Sequence, residues 1–253
     1  MKLDGLAAIV TGGASGLGAA TAREFAKTGS KVAIFDVNQE EGSKVAEEIG
    51  GLFFPVDVAD GEGVQSTIAE AEAMHGTARI LVNCAGIAPP SKTVSRGQPH
   101  DLALFEKVIK VNLIGSFNCT RLAAARMVAA DPVNEEERGV IICTASVAAY
   151  EGQVGQAAYS ASKGGVAGMT LPIARDLADK GIRIVSIAPG IFLTPMVSAM
   201  PQEVQDSLGA SVPFPRRLGQ PDEYAALARH IVENAMLNGS VIRLDGAIRM
   251  EPR

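Results

Sequence analysis

Leu6-Ala7-Ala8-Ile9-Val10-Thr11 runs without a break into Gly12-Gly13-Ala14-Ser15-Gly16-Leu17-Gly18, and an Ala-rich stretch follows. The first run is apolar and short enough for a buried strand, and the last has the pattern of a helix. The glycines between them, spaced Gly-x3-Gly-x-Gly, let the backbone turn tightly and approach a ligand closely. At the helix start, unpaired N–H groups and the dipole favour a phosphate. The spacing is not GxGxxG, and the Gly-Lys-Ser/Thr of a nucleotide-hydrolysing loop is absent. The turn therefore predicts an α/β fold that binds a pyrophosphate without hydrolysing it.

The same rhythm continues along the chain. Leu6–Val10, Lys31–Phe35, Leu52–Val56, Ile80–Asn83, Val140–Thr144, Arg183–Ile187 and Val241–Leu244 read as strands. Helical patterns lie near 16–28, 39–49, 61–76, 101–130, 157–180 and 221–235. This alternation predicts one domain over 1–253, a Rossmann-like doubly wound parallel β-sheet flanked by helices on both faces. Two proline-bearing stretches interrupt it, 86–100 and 189–220. In such sheets ligands sit beyond the carboxyl ends of the strands, so an insertion at about 191–221 reads as a substrate lid.

Composition narrows the function classes. Of 253 residues 47% are hydrophobic and none is Trp, which suits an aliphatic sheet buried on both faces. A net charge of −5 with dispersed Lys and Arg argues against a nucleic-acid surface or a polybasic membrane anchor. Cys84, Cys119 and Cys143 show no CxxC spacing and lie in apolar stretches, so buried reduced thiols are expected, with no metal site. The first residues run straight into a strand, and no apolar run approaches the ~20 residues of a membrane span. A soluble, cytoplasmic protein is the expectation.

Three further features point to one pocket. Asp36 ends the second strand, eighteen residues beyond Gly18, where a carboxylate accepts hydrogen bonds from ribose hydroxyls and repels a 2′-phosphate. No Lys or Arg stands at Gly13, Ala14, Val37 or Asn38, so NAD is expected over NADP. Asp57-Val58 and Cys84-Ala85-Gly86 follow the third and fourth strands on the same edge, as adenine and ribose contacts or as plain turn residues. Tyr159 and Lys163 stand one helical turn apart and share a face. A phenol is a poor base at neutral pH, and a neighbouring ammonium favours its ionised form.

Thr11–Gly18, Asn83–Gly86, Asn112, Ser146, Tyr159-x3-Lys163 and Pro189-Gly190, in this order over nearly the whole chain, resemble the short-chain dehydrogenase/reductase family. The resemblance implies a catalytic tetrad of Asn112, Ser146, Tyr159 and Lys163. Tyr159 would be the general acid/base, Lys163 would assist it and bind the nicotinamide ribose, and Ser146 would hold the substrate oxygen together with Tyr159. Asn112 would anchor a water of a proton relay. Cofactor contacts are implied at Gly12, Ser15, Gly16, Leu17, Gly18, Asp36, Asp57, Val58, Cys84, Ala85, Gly86, Tyr159, Lys163, Phe192 and Thr194.

Longer segments are more specific. Thr144–Tyr159, Gly168–Leu177, Val212–Pro215 and Ile242–Met250 resemble the type 2 3-hydroxyacyl-CoA dehydrogenase branch, also described as type 10 17β-hydroxysteroid dehydrogenases. That implies NAD-dependent interconversion of (S)-3-hydroxyacyl-CoA and 3-ketoacyl-CoA by a homotetramer. A hydroxysteroid or other secondary-alcohol dehydrogenase is the alternative enzyme. An NAD-binding regulator without turnover is the alternative of another class, and it has no need of both Tyr159 and Lys163.

Overall fold

A computed structural model describes residues 1–134 and 136–252. Its main sheet is built from β1 (Ala7–Thr11), β2 (Lys31–Asp36), β3 (Leu52–Pro55), β4 (Ile80–Asn83), β7 (Gly139–Thr144), β8 (Ile182–Pro189) and β9 (Val241–Leu244). All pairings are parallel, in the order β3-β2-β1-β4-β7-β8-β9. A two-residue hairpin, β5 (Val94–Ser95) with β6 (Gln98–Pro99), occupies the first proline-bearing stretch. The helices are α1 (Gly16–Lys27), α2 (Gln39–Ile49), α3 (Gly61–His75), α4 (Leu102–Ile109), α5 (Ser116–Ala129), α6 (Ala157–Asp176), α7 (Pro195–Ser198), α8 (Gln202–Ala210) and α9 (Pro221–Glu233).

β1, β4, β7 and β8 are buried along their whole length, as their continuous apolar runs require. Side chains still alternate between faces. Ile9, Leu81, Ile141 and Ile184 join Ile68, Met127 and Val166 of α3, α5 and α6 on one side. Ala8, Val10, Val82, Ile142 and Val185 join Phe25, Val45 and Ile231 of α1, α2 and α9 on the other. The result is the three-layer, Rossmann-like arrangement that the sequence predicts, in a single domain. Among the described residues, no helix is long and apolar enough to cross a membrane.

Two elements depart from the expected boundaries. The helix expected over 101–130 is interrupted by a π-helical turn at Lys110–Gly115. Such a turn is a short i→i+5 departure inside an otherwise continuous helical stretch, too local for the periodicity of the whole stretch to reveal. The helix expected over 157–180 stops at Asp176, and a 3₁₀ turn at Ala178–Lys180 leads to left-handed Gly181. All three cysteines are free thiols; Cys119 and Cys143 are buried, while Cys84 is half-buried at the carboxyl edge of β4.

Candidate active site

The strand order reverses at β1, whose neighbours are β2 and β4. Beyond these carboxyl ends lies a cleft of about 890 Å³, in the usual range for small-molecule sites. The glycine-rich turn forms its floor. Gly12 has φ 65°, and a Cβ there would lie 2.7 Å from the Ala85 backbone nitrogen. A Cβ on Gly18 would lie 2.1 Å from the Gly12 carbonyl oxygen, so α1 starts packed directly on the turn. Ser15 caps α1 by position but makes no side-chain capping bond, which leaves its hydroxyl at the mouth of the helix.

Asp36 is tied to this turn. Its Oδ2 accepts the Ala14 N–H at 3.0 Å, and its Oδ1 accepts that of Asn38 at 2.9 Å. Asp57 closes its own turn by accepting the Ala59 N–H at 2.9 Å. Both carboxylates nevertheless line the cleft, beside Val37 and Val58.

At the other end, α6 presents Tyr159 and Lys163. Lys163 Nζ lies 5.7 Å from the centre of the Tyr159 ring and donates to the Thr144 carbonyl at 2.6 Å. The ammonium is buried, so one fixed acceptor defines where its remaining donors point. Thr144 is itself held. Its hydroxyl donates to the Asn83 carbonyl at 2.7 Å and lies 2.7 Å from the Tyr224 hydroxyl. Burial pushes the Tyr224 phenol well above its ordinary pKa, so it stays protonated and donates to Thr144. Ser146 Oγ accepts the Ala148 N–H at 3.1 Å, which leaves its own proton for a ligand.

Asn112 sits in the π-helical turn and is fully buried. Its side chain accepts the Ile87 N–H at 2.8 Å and donates to the Ile87 carbonyl at 2.9 Å and Ser162 Oγ at 3.0 Å. Ser162 in turn donates to the Tyr159 carbonyl at 2.7 Å. Of the candidate catalytic and cofactor residues, Asn112 alone does not line the cleft; it stands behind the wall. Phe192 and Thr194 do line it, and a Cβ on Gly16 would meet Thr194 and Pro195 at 3.5 Å. The segment after β8 thus leans over the start of α1.

Sequence reasoning missed several lining residues: Gln153, Gln156, Met200, Leu208 and Met250. It also missed Thr144, whose contribution is a backbone carbonyl and leaves no residue-type signal. The residues present fit a dinucleotide. A glycine-lined turn and a carboxylate sit at one end of the cleft, and a fixed ammonium sits at the other.

Comparison with known proteins agrees with this geometry. The profile described as "short chain dehydrogenase" matches residues 6–205. The 3-hydroxyacyl-CoA dehydrogenase type-2 of Homo sapiens is 53% identical over 99% of this chain and 98% of that protein. The protein of the same name from Drosophila melanogaster is 52% identical over 96% and 97%. The crystal structure of 3-hydroxyacyl-CoA dehydrogenase type-2 from Mycobacterium avium superposes with a TM-score of 0.94 at 42% identity, covering 98% of each chain.

Proposed function

The chain belongs to the short-chain dehydrogenase/reductase family, and on that basis we propose that it interconverts (S)-3-hydroxyacyl-CoA and 3-ketoacyl-CoA with NAD. It is an oxidoreductase. The observation that carries the chemistry is the Lys163 ammonium fixed by the Thr144 carbonyl beside Tyr159, in the cleft that also holds the glycine-rich turn. The acyl-CoA substrate is supported by full-length similarity to relatives that bear that name.

When bound, the nicotinamide ring supplies or takes up the hydride. Tyr159 removes the hydroxyl proton during oxidation and returns it during reduction. Ser146 donates its free proton to the substrate oxygen and stabilises charge that develops there. Lys163, held beside the phenol by the Thr144 carbonyl, keeps donors for the ribose hydroxyls. Asn112 acts through Ser162, whose bond to the Tyr159 carbonyl fixes the first turn of α6. Gly12–Gly18 receives the pyrophosphate, Asp36 the adenosine ribose, and Asp57, Val58, Cys84, Ala85 and Gly86 the rest of that half. Phe192 and Thr194 close over the nicotinamide end as part of a lid at about 191–221.

The proposal includes a homotetramer in the cytoplasm. Association between copies is supported by the edge strand β9 and by the exposed apolar residues Leu102, Ile114 and Phe117 on α4, the π-helical turn and α5.

Comparing kcat/KM for (S)-3-hydroxybutyryl-CoA and a 17β-hydroxysteroid with NAD tests the substrate. Turnover of the steroid without measurable turnover of the thioester overturns the reading. Asp36→Ala tests the cofactor. Losing one or two hydrogen bonds to a charged group, about 1.5–3 kcal/mol, raises KM for NAD about 10–100-fold and narrows its advantage over NADP. An unchanged NAD/NADP ratio removes Asp36 from cofactor choice.

A further inference from the structure

The hydride chemistry leaves one charge network unexplained. Glu151 lies in the loop between the Ser146 turn and α6, and its carboxylate accepts Arg243 Nη1 at 2.9 Å and Nη2 at 3.2 Å. The same carboxylate accepts the backbone N–H of Met250 at 3.1 Å and pairs with Arg249 at 3.3 Å. Arg243 also binds Asp245 at 2.7 Å and the Ile248 carbonyl at 3.0 Å. Two more bonds stitch the same segments together. Val154 N–H donates to the Pro252 carbonyl at 3.1 Å, and Gln153 Nε2 donates to that of Glu251 at 2.9 Å.

An isolated surface ion pair contributes little, but a two-pronged arginine–carboxylate contact inside a network is the exception. Here the Glu151 and Arg243 side chains are only 21% and 24% exposed. The backbone also shows that this turn is held. Ala247 has φ 66°, a left-handed conformation unfavourable for a residue with a Cβ, and its N–H is held by Asp245 at 3.0 Å.

The consequence lies in the cleft. Met250 lines it together with Gln153, Gln156 and Tyr159, and its N–H is held by Glu151 in the loop leading into Tyr159. We propose that the Glu151–Arg243 pair clamps residues 245–252 against the loop leading into Tyr159, making Met250 a fixed wall that limits acyl-chain length. Glu151 and Arg243 are positioning residues and Met250 sets specificity. The inference rests on the acyl-CoA reading above for its substrate, though the clamp itself does not.

Hydrogen exchange, KM values and chain-length preference of the whole 253-residue chain test it. Glu151→Gln should speed hydrogen exchange of the amides in 246–252 by about tenfold or more. It should also raise KM for the acyl thioester several-fold at unchanged KM for NAD. Arg243→Gln, breaking the pair from the other side, must give the same pattern. Met250→Ala should raise the kcat/KM ratio of (S)-3-hydroxydecanoyl-CoA to (S)-3-hydroxybutyryl-CoA about tenfold, the scale of a small volume change in an apolar pocket. Unchanged exchange in both clamp variants overturns the clamp, and an unchanged chain-length ratio in Met250→Ala overturns the wall. If the parent turns over no acyl thioester, the acyl-CoA reading falls, while the exchange rates still decide the clamp.

Discussion

Tyr159→Phe is expected to lower kcat for alcohol oxidation by about 10²–10⁴-fold, the usual contribution of a positioned acid/base, with NAD affinity nearly unchanged. The substitution removes one hydroxyl and keeps the ring that lines the cleft. Lys163 stays in place, because its 2.6 Å bond is to the Thr144 carbonyl and not to the phenol. That carbonyl rests on the Thr144–Tyr224 and Thr144–Asn83 bonds, which lie outside the substituted position. Ser146 also keeps its bond to Ala148. The variant therefore isolates proton transfer from binding. Steady-state rates with a fluorescence titration of NAD separate the outcomes. A loss below tenfold removes Tyr159 from the acid/base role, and a matching loss of NAD affinity makes its contribution structural.

How far the site could be read beforehand depends on how each part is encoded. Gly12, Gly16, Gly18, Asp36, Ser146 and the Tyr159/Lys163 pair carry their chemistry in residue type and spacing, and all of them line one cleft. Asn112 was legible as a residue but not in its placement. It lies in the π-helical turn, and its amide is engaged by Ile87 and Ser162 behind the cleft wall. Thr144 holds Lys163 through its backbone, so almost any side chain at that position would give the same reading. Met250 lines the cleft with its N–H held by Glu151, ninety-nine positions earlier. Contacts of that separation have no local pattern.

The fold shows the same division. Apolar runs placed every strand of the main sheet to within a few residues, since burial on both faces demands such runs. β8 extends further than Arg183–Ile187 because Ile182, Ala188 and Pro189 are buried with it. Arg183 itself looks like a strand boundary in sequence, yet it is only 7% exposed. A buried guanidinium is tolerated only where every charge and donor is matched, and its partners come from two distant segments.

Those partners make Arg183→Met the substitution expected to cost the most stability. The guanidinium donates to Glu137 at 2.8 Å through Nε. It also donates to the carbonyls of Ile231, Val232, Asn234 and Leu237 at 2.9, 3.0, 3.2 and 2.9 Å. It therefore caps the C-terminal end of α9, where helix carbonyls lack partners, and neutralises a carboxylate that is itself little exposed. Methionine fills much of the volume but leaves the little-exposed Glu137 with the Met1 amino group alone, and the Ile231 and Leu237 carbonyls without the guanidinium as donor. Removing one partner of a buried pair costs about 3–5 kcal/mol, a large share of the roughly 5–15 kcal/mol that holds a domain folded. For a chain of this size the midpoint of thermal unfolding should fall by about 6–20 °C. Circular dichroism against temperature measures this, and a shift below about 2 °C would mean that water replaces the guanidinium. The pH dependence has a definite sign. Burial alone would raise the Glu137 pKa, but hydrogen bonds from the Met1 amino group and Arg183 outweigh it and hold the carboxyl below its ordinary range. Its stabilising contribution in the parent is thus complete above the ordinary carboxylate range and is lost as pH falls through the lowered value. In Arg183→Met the hydrogen bonds and charge from Arg183 are gone while burial remains, so the carboxyl protonates at higher pH. The stability gap between parent and variant should therefore narrow in acid, and a gap that stays constant with pH would place the loss in the α9 carbonyls rather than in the ion pair.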